Sequence, residues 1–152
     1  MAWLPATFVP PDRVELSTGH HLRPIREADV EIDYPAVMGS RARLWERYGP
    51  AWGWPPADMS YEADRRDLAR HEAEIAALET FNYAVLDAGE TVLLGCVYVD
   101  PPDESSPAGT EAVSSWWVVD DWVGTDLERA LGDFVPLWLG ETWGFRSVHY
   151  FP

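Results

Sequence analysis

The chain has 152 residues, enough for one domain with its own hydrophobic core, and we predict a single domain over residues 1–152. Its net charge of −15 lies mainly after residue 70, where fifteen acidic residues stand against two arginines, so we exclude nucleic acid as a partner. The sequence has no apolar run long enough for a membrane span and no signal-peptide pattern at its start, so we expect a cytoplasmic protein without membrane contact.

The first half of the sequence predicts two strands followed by helices. The strands cover residues 13–16 and 21–25 and are joined by a short turn. A helical region begins near Glu27, and Pro35 should end a first helix or begin a second. Residues 48–62, rich in proline and aromatic side chains, predict a loop before the next helix.

That next helix can be capped by Ser60 or Asp58 and runs to about Leu78. Three extended runs then predict three consecutive strands, at residues 81–86, 92–99 and 112–119.

The last strand of that group leads into a helix that starts at Thr125. Thr125 and Glu128 have the spacing of a capping box, and Pro136 predicts a kink further along. Residues 147–151 predict one more short strand. The order β, β, α, α, β, β, β, α, β predicts an α+β fold, with helices on the faces of a mixed, mainly antiparallel sheet.

This order of elements, together with several short stretches of local sequence, resembles the GNAT superfamily of N-acetyltransferases. Residues 21–29 (HLRPIREAD) are similar to the first strand of that family and the entry to its first helix. Residues 81–85 (FNYAV), 94–98 (LGCVY) and 115–118 (SWWV) resemble its second, third and fourth strands. The resemblance covers roughly residues 13–150 and implies the acyl-CoA N-acyltransferase fold.

The resemblance implies acetyl-CoA as co-substrate. In the family the backbone of the fourth strand binds the pantetheine arm, and the following loop binds the pyrophosphate through backbone N–H groups. Carried over, the arm would lie along Trp117, Val118 and Val119, and the phosphates would lie at Gly124 and Thr125.

The phosphate loop departs from the family pattern. Of the usual glycine-rich wording only Gly124 is kept, while Asp126 and Glu128 occupy later glycine positions. Arg129 is the one basic residue nearby in sequence, and pairing with Asp126 or Asp133 is the simpler role for it. We therefore expect degraded acyl-CoA recognition. The family's next helix and last two strands also have no counterpart before residue 152.

Two sets of side chains are candidates for the acceptor site. Glu111, just before the third strand of the central group, is a candidate general base, and its alternative is a solvated loop residue. Four aromatic residues could form an apolar wall or a cation–π box for an amine: Tyr48, Trp52, Trp54 and Tyr61. Their alternative is a lid packed on the core.

No spacing of residues predicts a metal site. His20 and His21 are adjacent, whereas His71 and His149 are isolated. Cys96 is the only cysteine and lies within an apolar strand, so we predict an inert core thiol.

Three functions remain open from the sequence. The first is an N-acetyltransferase that passes acetyl from acetyl-CoA to a primary amine of a small molecule or protein. The second is a non-catalytic binding or assembly module that keeps this fold without using CoA, with a homodimer formed through the C-terminal strand. The third is an unrelated α+β domain that binds a small hydrophobic molecule between its helices and sheet.

Overall fold

The computed structural model describes residues 3–152. Two short strands come first, then three helices, three strands, a fourth helix and a last strand. In chain order the elements are β1 (Val14–Glu15), β2 (His21–Pro24), α1 (Val30–Gly39), α2 (Arg41–Trp52), α3 (Tyr61–Ala76), β3 (Phe81–Leu86), β4 (Leu93–Asp100), β5 (Ala112–Val118), α4 (Asp126–Glu141) and β6 (Val148–Tyr150).

The six strands form one sheet in the order β1-β2-β3-β4-β5-β6. Every neighbouring pair is antiparallel except β5 and β6, which run parallel. The predicted α+β class, with a mixed and mainly antiparallel sheet, is therefore confirmed. β6 pairs only with the first three residues of β5, from Ala112 opposite Val148 to Ser114 opposite Tyr150.

Helices cover both faces of the sheet, which explains why β3 is buried along its whole length. On one face α4 packs its apolar side against the strands through Leu127, Leu131 and Val135. On the other face α1, α2 and α3 pack against the alternate strand residues, such as Cys96 and Trp117. The cavity described in the next section lies on this second face.

The helices of the first half differ from the prediction. The helical region divides at Ser40 rather than at Pro35, so three helices precede β3 where two were expected. α2 also continues to Trp52, well into the predicted loop. It ends at Gly53, whose φ of 61° is the left-handed conformation that glycine adopts most readily at a helix C-terminus.

The N-terminal caps of α3 and α4 agree with the sequence prediction only in part. Ser60 caps α3, its Oγ accepting a hydrogen bond from the Ala63 N–H at 3.0 Å. The capping box predicted for α4 is wrong, because the Thr125 hydroxyl donates to the Trp122 carbonyl instead. α4 continues past Pro136 to Glu141. None of the helices within residues 3–152 is both long enough and apolar enough to cross a membrane.

Candidate functional site

A cavity of about 510 Å³ lies between the sheet and helices α1 and α3. Its floor comes from alternate residues of β4, since Cys96, Tyr98 and Asp100 point to the same side of the strand. Asn82 of β3 and Trp117 of β5 complete the floor. The sheet therefore presents one cysteine, two polar groups and two aromatic rings to the cavity.

One face of α3 forms the opposite wall. Asp64, Asp67, His71 and Glu74 follow one another at intervals of three and four residues, which places them on one side of a helix. All four line the cavity, so this wall carries three carboxylates and one imidazole.

The deep end of the cavity holds two neighbouring carboxyl groups, Asp33 of α1 and Asp64 of α3. Asp33 is 3% exposed and Asp64 is 2% exposed. Burial raises the pKa of Asp33 far above its ordinary value, and the adjacent Asp64 carboxyl raises it further. Burial also raises the pKa of Asp64, while its hydrogen bond with Asp33 opposes this. Both shifts favour the protonated form, so this pair retains a proton more readily than isolated carboxyl groups do.

Two buried oxygen atoms at this cavity accept no hydrogen bond from an N–H group or an alcohol or phenol hydroxyl within residues 3–152. They are Asp64 Oδ2, whose carboxyl group has the neighbouring Asp33 carboxyl as a partner, and Asn82 Oδ1. Both are acceptors, and both residues line the cavity. An unpaired buried acceptor costs free energy, which a bound donor would recover.

The other end of the cavity is formed by Asp100 at the end of β4. Burial and the nearby Glu74 carboxylate raise the pKa of Asp100 to about 7. Arg70 lies at this end, but it pairs with Glu74 at 2.6 Å and approaches Asp67 at 3.9 Å. Burial lowers the pKa of His71, so this imidazole is neutral at pH 7. The cavity is thus strongly acidic.

Aromatic rings close the cavity next to β5. Trp52 meets the ring of Tyr98 edge-on at 5.2 Å, and Trp54 lies 6.2 Å from Trp117. The indole N–H of Trp117 donates to the Tyr98 hydroxyl at 2.9 Å. These contacts fix the rings as a rigid apolar wall beside the carboxylates.

The four aromatic residues predicted to bind substrate separate into two groups. Trp52 and Trp54 line the cavity. Tyr48 is fully buried between α2 and β5, where its hydroxyl lies 2.7 Å from Ser115 Oγ and its ring stacks on Trp52. Tyr61 is exposed at the start of α3, where its ring contacts the ring of Tyr34, and it does not line the cavity. The structure brings together two of the four at the cavity.

The outer edge of β5, which faces away from β4, is occupied by side chains of α2. The Val118 carbonyl accepts a hydrogen bond from Arg43, and the Trp116 carbonyl accepts one from Tyr48 at 3.4 Å. Arg43 Nε also lies 2.7 Å from Asp120 at the start of the following loop. A cation from the first half of the chain therefore reaches the loop that the sequence shows as wholly acidic.

The backbone of β5 alternates between its two edges. Val119 donates its N–H to Leu94, so its amide faces β4, and Trp117 opposite Cys96 faces the same way. Of the three strand residues predicted to hold pantetheine, Val118 alone turns its carbonyl to the outer edge.

The loop after β5 satisfies its own backbone groups. The Gly124 N–H donates to the Glu128 carboxylate at 2.9 Å, and the Gly124 carbonyl accepts from Arg129 at the same distance. Arg129 also pairs with Asp126, as the sequence predicted. Thr125 has a half-buried side chain that lines a shallow surface depression with Asp126.

Glu111, the predicted base, does not line the cavity. Its carboxylate accepts the N–H groups of Arg146 at 2.5 Å and Ser147 at 3.0 Å, and its own N–H donates to the Ser147 carbonyl. These contacts hold the start of β6 against β5. The structure places Glu111 in a role that orients strands.

Sequence reasoning missed the cavity carboxylates. The predicted strand ends at residue 99 and leaves out Asp100, although Asp100 directly follows an apolar run and keeps the alternation of Cys96 and Tyr98. The sequence pattern does not identify Asp33 and Asp64 as buried, because an acidic residue within a helix is usually solvated. Within residues 3–152, no group of three His, Cys, Asp or Glu side chains has the geometry to hold a metal ion.

The sequence matches no protein-family model and no curated protein sequence. Similarity is found among solved structures. A ribosomal L7/L12 alpha-N-protein acetyltransferase in complex with coenzyme A superposes with a TM-score of 0.71 at 15% identity, over 90% of this chain and 72% of that one. The ribosomal-protein-S5-alanine acetyltransferase of Vibrio fischeri gives 0.67 at 14% identity, over 91% and 72%.

A third similar structure is a chimera of the spermidine N-acetyltransferase from Vibrio cholerae. It superposes with a TM-score of 0.58 at 11% identity, over 87% of this chain and 69% of that one. At such identities the likeness is one of fold.

Proposed function

From the GNAT fold of this chain, we propose that it is an N-acetyltransferase whose acceptor, a primary amine, binds in the acidic cavity. The observation that carries the proposal is Asp100, a carboxyl group with a pKa of about 7 at the cavity wall, opposite Val113 of β5. A general base works best when its pKa is close to the working pH. The similar structures are named as acetyltransferases, which supports the same reaction class.

The direction of β5 supports the placement of the two substrates. In the resembled family the phosphates of acetyl-CoA lie at the loop after this strand and the arm runs back along it. Because β6 pairs with residues 112–114, the arm would end near Ser115 and Trp116, and Asp100 lies two residues further along, opposite Val113. Trp52 beside Tyr98 and Trp54 beside Trp117 would cover part of the cavity next to the thioester.

The chemistry of the transfer is simple. Asp100 accepts a proton from the ammonium form of the acceptor, and the freed amine nitrogen forms an amide bond with the acetyl carbon. Acetyl-CoA supplies the activated acetyl group. As the C–S bond breaks, the nitrogen loses a second proton and the sulfur takes one up, so coenzyme A leaves as a thiol. The surrounding carboxylates hold the cationic amine before the reaction.

The residues that would hold acetyl-CoA already have partners within the chain. The outer edge of β5 offers the backbone of Trp116 and Val118, and the loop offers the amide of Gly124. Binding therefore requires that Arg43 and Tyr48 release the carbonyls of β5 and that Glu128 releases the Gly124 N–H. Arg43 is one-third exposed and can turn from Val118 toward a phosphate.

The same contacts favour a second candidate, an amine-binding module that does not use CoA. If Arg43 and Tyr48 stay on the outer edge of β5, the strand has no free carbonyl for pantetheine. The cavity would still bind an amine. This candidate keeps the binding half of the proposal and removes the transfer.

Calorimetric titration with acetyl-CoA at low salt separates the two candidates. The transferase proposal predicts one-to-one binding that is tighter in the Glu128→Arg variant, and an unchanged or lower affinity in that variant would show that the loop does not contact phosphate. A rise in affinity for this variant is the expected result, because it replaces a repelling charge by an attracting one. If neither the wild-type chain nor the Glu128→Arg variant releases heat at millimolar acetyl-CoA, the transferase proposal is contradicted and the binding module is favoured.

Two further sequence predictions belong to this proposal. The reaction draws on acetyl-CoA, so we place the chain in the cytoplasm. We also keep the homodimer through the C-terminal strand as a proposal, since β6 is the last strand of the sheet.

A further inference from the structure

We propose that the cavity binds an elongated aliphatic cation with at least two amino groups, one at each acidic end. The inference rests on the proposed function only for the identity of the acceptor, because the binding itself needs no acetyl-CoA. It follows from the unpartnered oxygens, the separation of the two ends and the character of the surface between them.

The deep end and the floor next to it provide acceptors for a bound donor. Asp64 Oδ2 lies at the deep end, and Asn82 Oδ1 belongs to the β3 residue opposite Tyr98, between the two ends. Both atoms are buried and accept no hydrogen bond from an N–H group or an alcohol or phenol hydroxyl within residues 3–152. Asp33 stands beside Asp64 and is also buried. An ammonium group has three N–H donors and no acceptor, so it matches this set of oxygens.

The second end lies one strand length away. Asp100 follows Cys96 by four residues on the same face of β4, which corresponds to about 13 Å. On α3, Glu74 follows Asp64 by ten residues, or about 15 Å of helix. Cys96 lies near Asp33 and Asp64, which raise the pKa of its buried thiol, and Asp100 lies near Glu74. The strand and the helix thus give the same separation between the two acidic ends.

The surface between the two ends suits a hydrocarbon chain. Leu68 of α3 and the rings of Tyr98, Trp52 and Trp117 line the cavity. Aromatic faces also attract cationic nitrogen and the methylenes next to it. A rigid apolar middle with charged ends selects a molecule of matching pattern.

The charge balance of the cavity favours a dication over a single cation. Five carboxyl groups line it (Asp33, Asp64, Asp67, Glu74 and Asp100), and Arg70 is the one arginine among the lining residues. Arg70 is already paired with Glu74. A single amino group at the deep end would leave the Asp100 carboxyl group without a cationic partner, because Arg70 pairs with Glu74.

The test is calorimetric titration of the whole chain with 1,8-diaminooctane at pH 8, without acetyl-CoA. Octylamine, which has the same hydrocarbon chain and one amino group, is the control compound. We expect 1,8-diaminooctane to bind one-to-one and about tenfold or more tightly than octylamine. Equal affinities, or no binding of the diamine at millimolar concentration, would overturn the inference.

Variants assign the binding to the two ends. Asp64→Asn and Asp100→Asn each remove one carboxylate with little change in shape, and each should weaken diamine binding by about tenfold or more while leaving octylamine less affected. Glu104→Gln removes an exposed charge outside the cavity and should change neither. Unchanged diamine affinity in both cavity variants would overturn the inference even if one of them folded poorly.

The outcome is independent of the transferase proposal. Diamine binding without any acetylation would keep the inference and remove the transfer. Acetylation of a different amine by a protein that does not bind the diamine would remove the inference and keep the transfer.

Discussion

At the scale of single residues, Asp100 links the cavity to the pH dependence of the protein. Its pKa of about 7 lies above the ordinary value, so the folded chain holds a proton that the unfolded chain has released. Stability contributed by this group is present below pH 4 and is lost as the pH rises to about 7. The charged or titratable groups that line the cavity with Asp100 are Asp33, Asp64, Asp67, Arg70, His71, Glu74, Cys96 and Tyr98.

We therefore expect Asp100→Asn to flatten the pH dependence of stability. The wild-type chain should lose unfolding free energy between about pH 4 and 7, and the variant should lose less over the same range, since Asn does not ionise. Urea unfolding at a series of pH values measures this. Parallel curves for the two proteins would contradict the assigned pKa.

Tyr48 illustrates a buried polar group that the sequence could not assign. Its hydroxyl lies 2.7 Å from Ser115 Oγ inside the core. Tyr48→Phe should lower the unfolding free energy by about 1–2 kcal/mol, because Ser115 loses that partner. Tyr61→Phe is the matched control, and its exposed ring predicts a change within about 0.5 kcal/mol. Similar losses in both variants would show that the Tyr48 contact contributes nothing specific.

At the scale of elements, the contact of β4 with β5 depends on a glycine. A Cβ built on Gly95 would lie 2.1 Å from the Trp117 carbonyl oxygen, closer than any tolerated contact. Gly95→Ala should cost about 1–3 kcal/mol or more, because one of the two strands must move. Gly89→Ala in the turn before β4 meets only an ordinary contact at 3.6 Å and is the control. Thermal unfolding of both variants tests this, and a stable Gly95→Ala would contradict the strand contact.

The sequence predicts the central strands correctly, but it does not predict how far α2 extends. Three apolar runs bounded by turn residues predicted β3, β4 and β5 nearly to their ends. The proline- and tryptophan-rich segment suggested a loop, yet α2 extends to Trp52 because Tyr48 and Leu44 are buried against the core. Tertiary packing outweighed local propensity there.

At the scale of the whole molecule, the order of elements predicted the fold, while the site depended on contacts distant in sequence. Asp33, Asp64 and Asp100 line one cavity because α1, α3 and β4 pack on one another. Arg43 reaches Asp120 across 77 positions of the chain. The charge count shows that the protein is acidic, but only the fold shows which carboxyl groups line the cavity.

The arrangement of the sheet also underlies the predicted dimer. β6 is the last strand and pairs through three residues, so its outer edge can accept a strand of a second copy. Sedimentation velocity should show a mass near twice 17.2 kDa that shifts toward the monomer on dilution. A single monomer mass at all concentrations would contradict this proposal without affecting the cavity.

The most direct test of the account is mass-spectrometric detection of acetylated 1,8-diaminooctane after incubation with acetyl-CoA. We expect the wild-type chain to form the monoacetylated product and Asp100→Asn to form it about 100-fold or more slowly, as for the loss of a general base. Glu104→Gln should retain wild-type activity. Absence of product from a wild-type chain that binds the diamine would contradict the transferase and leave an amine-binding protein.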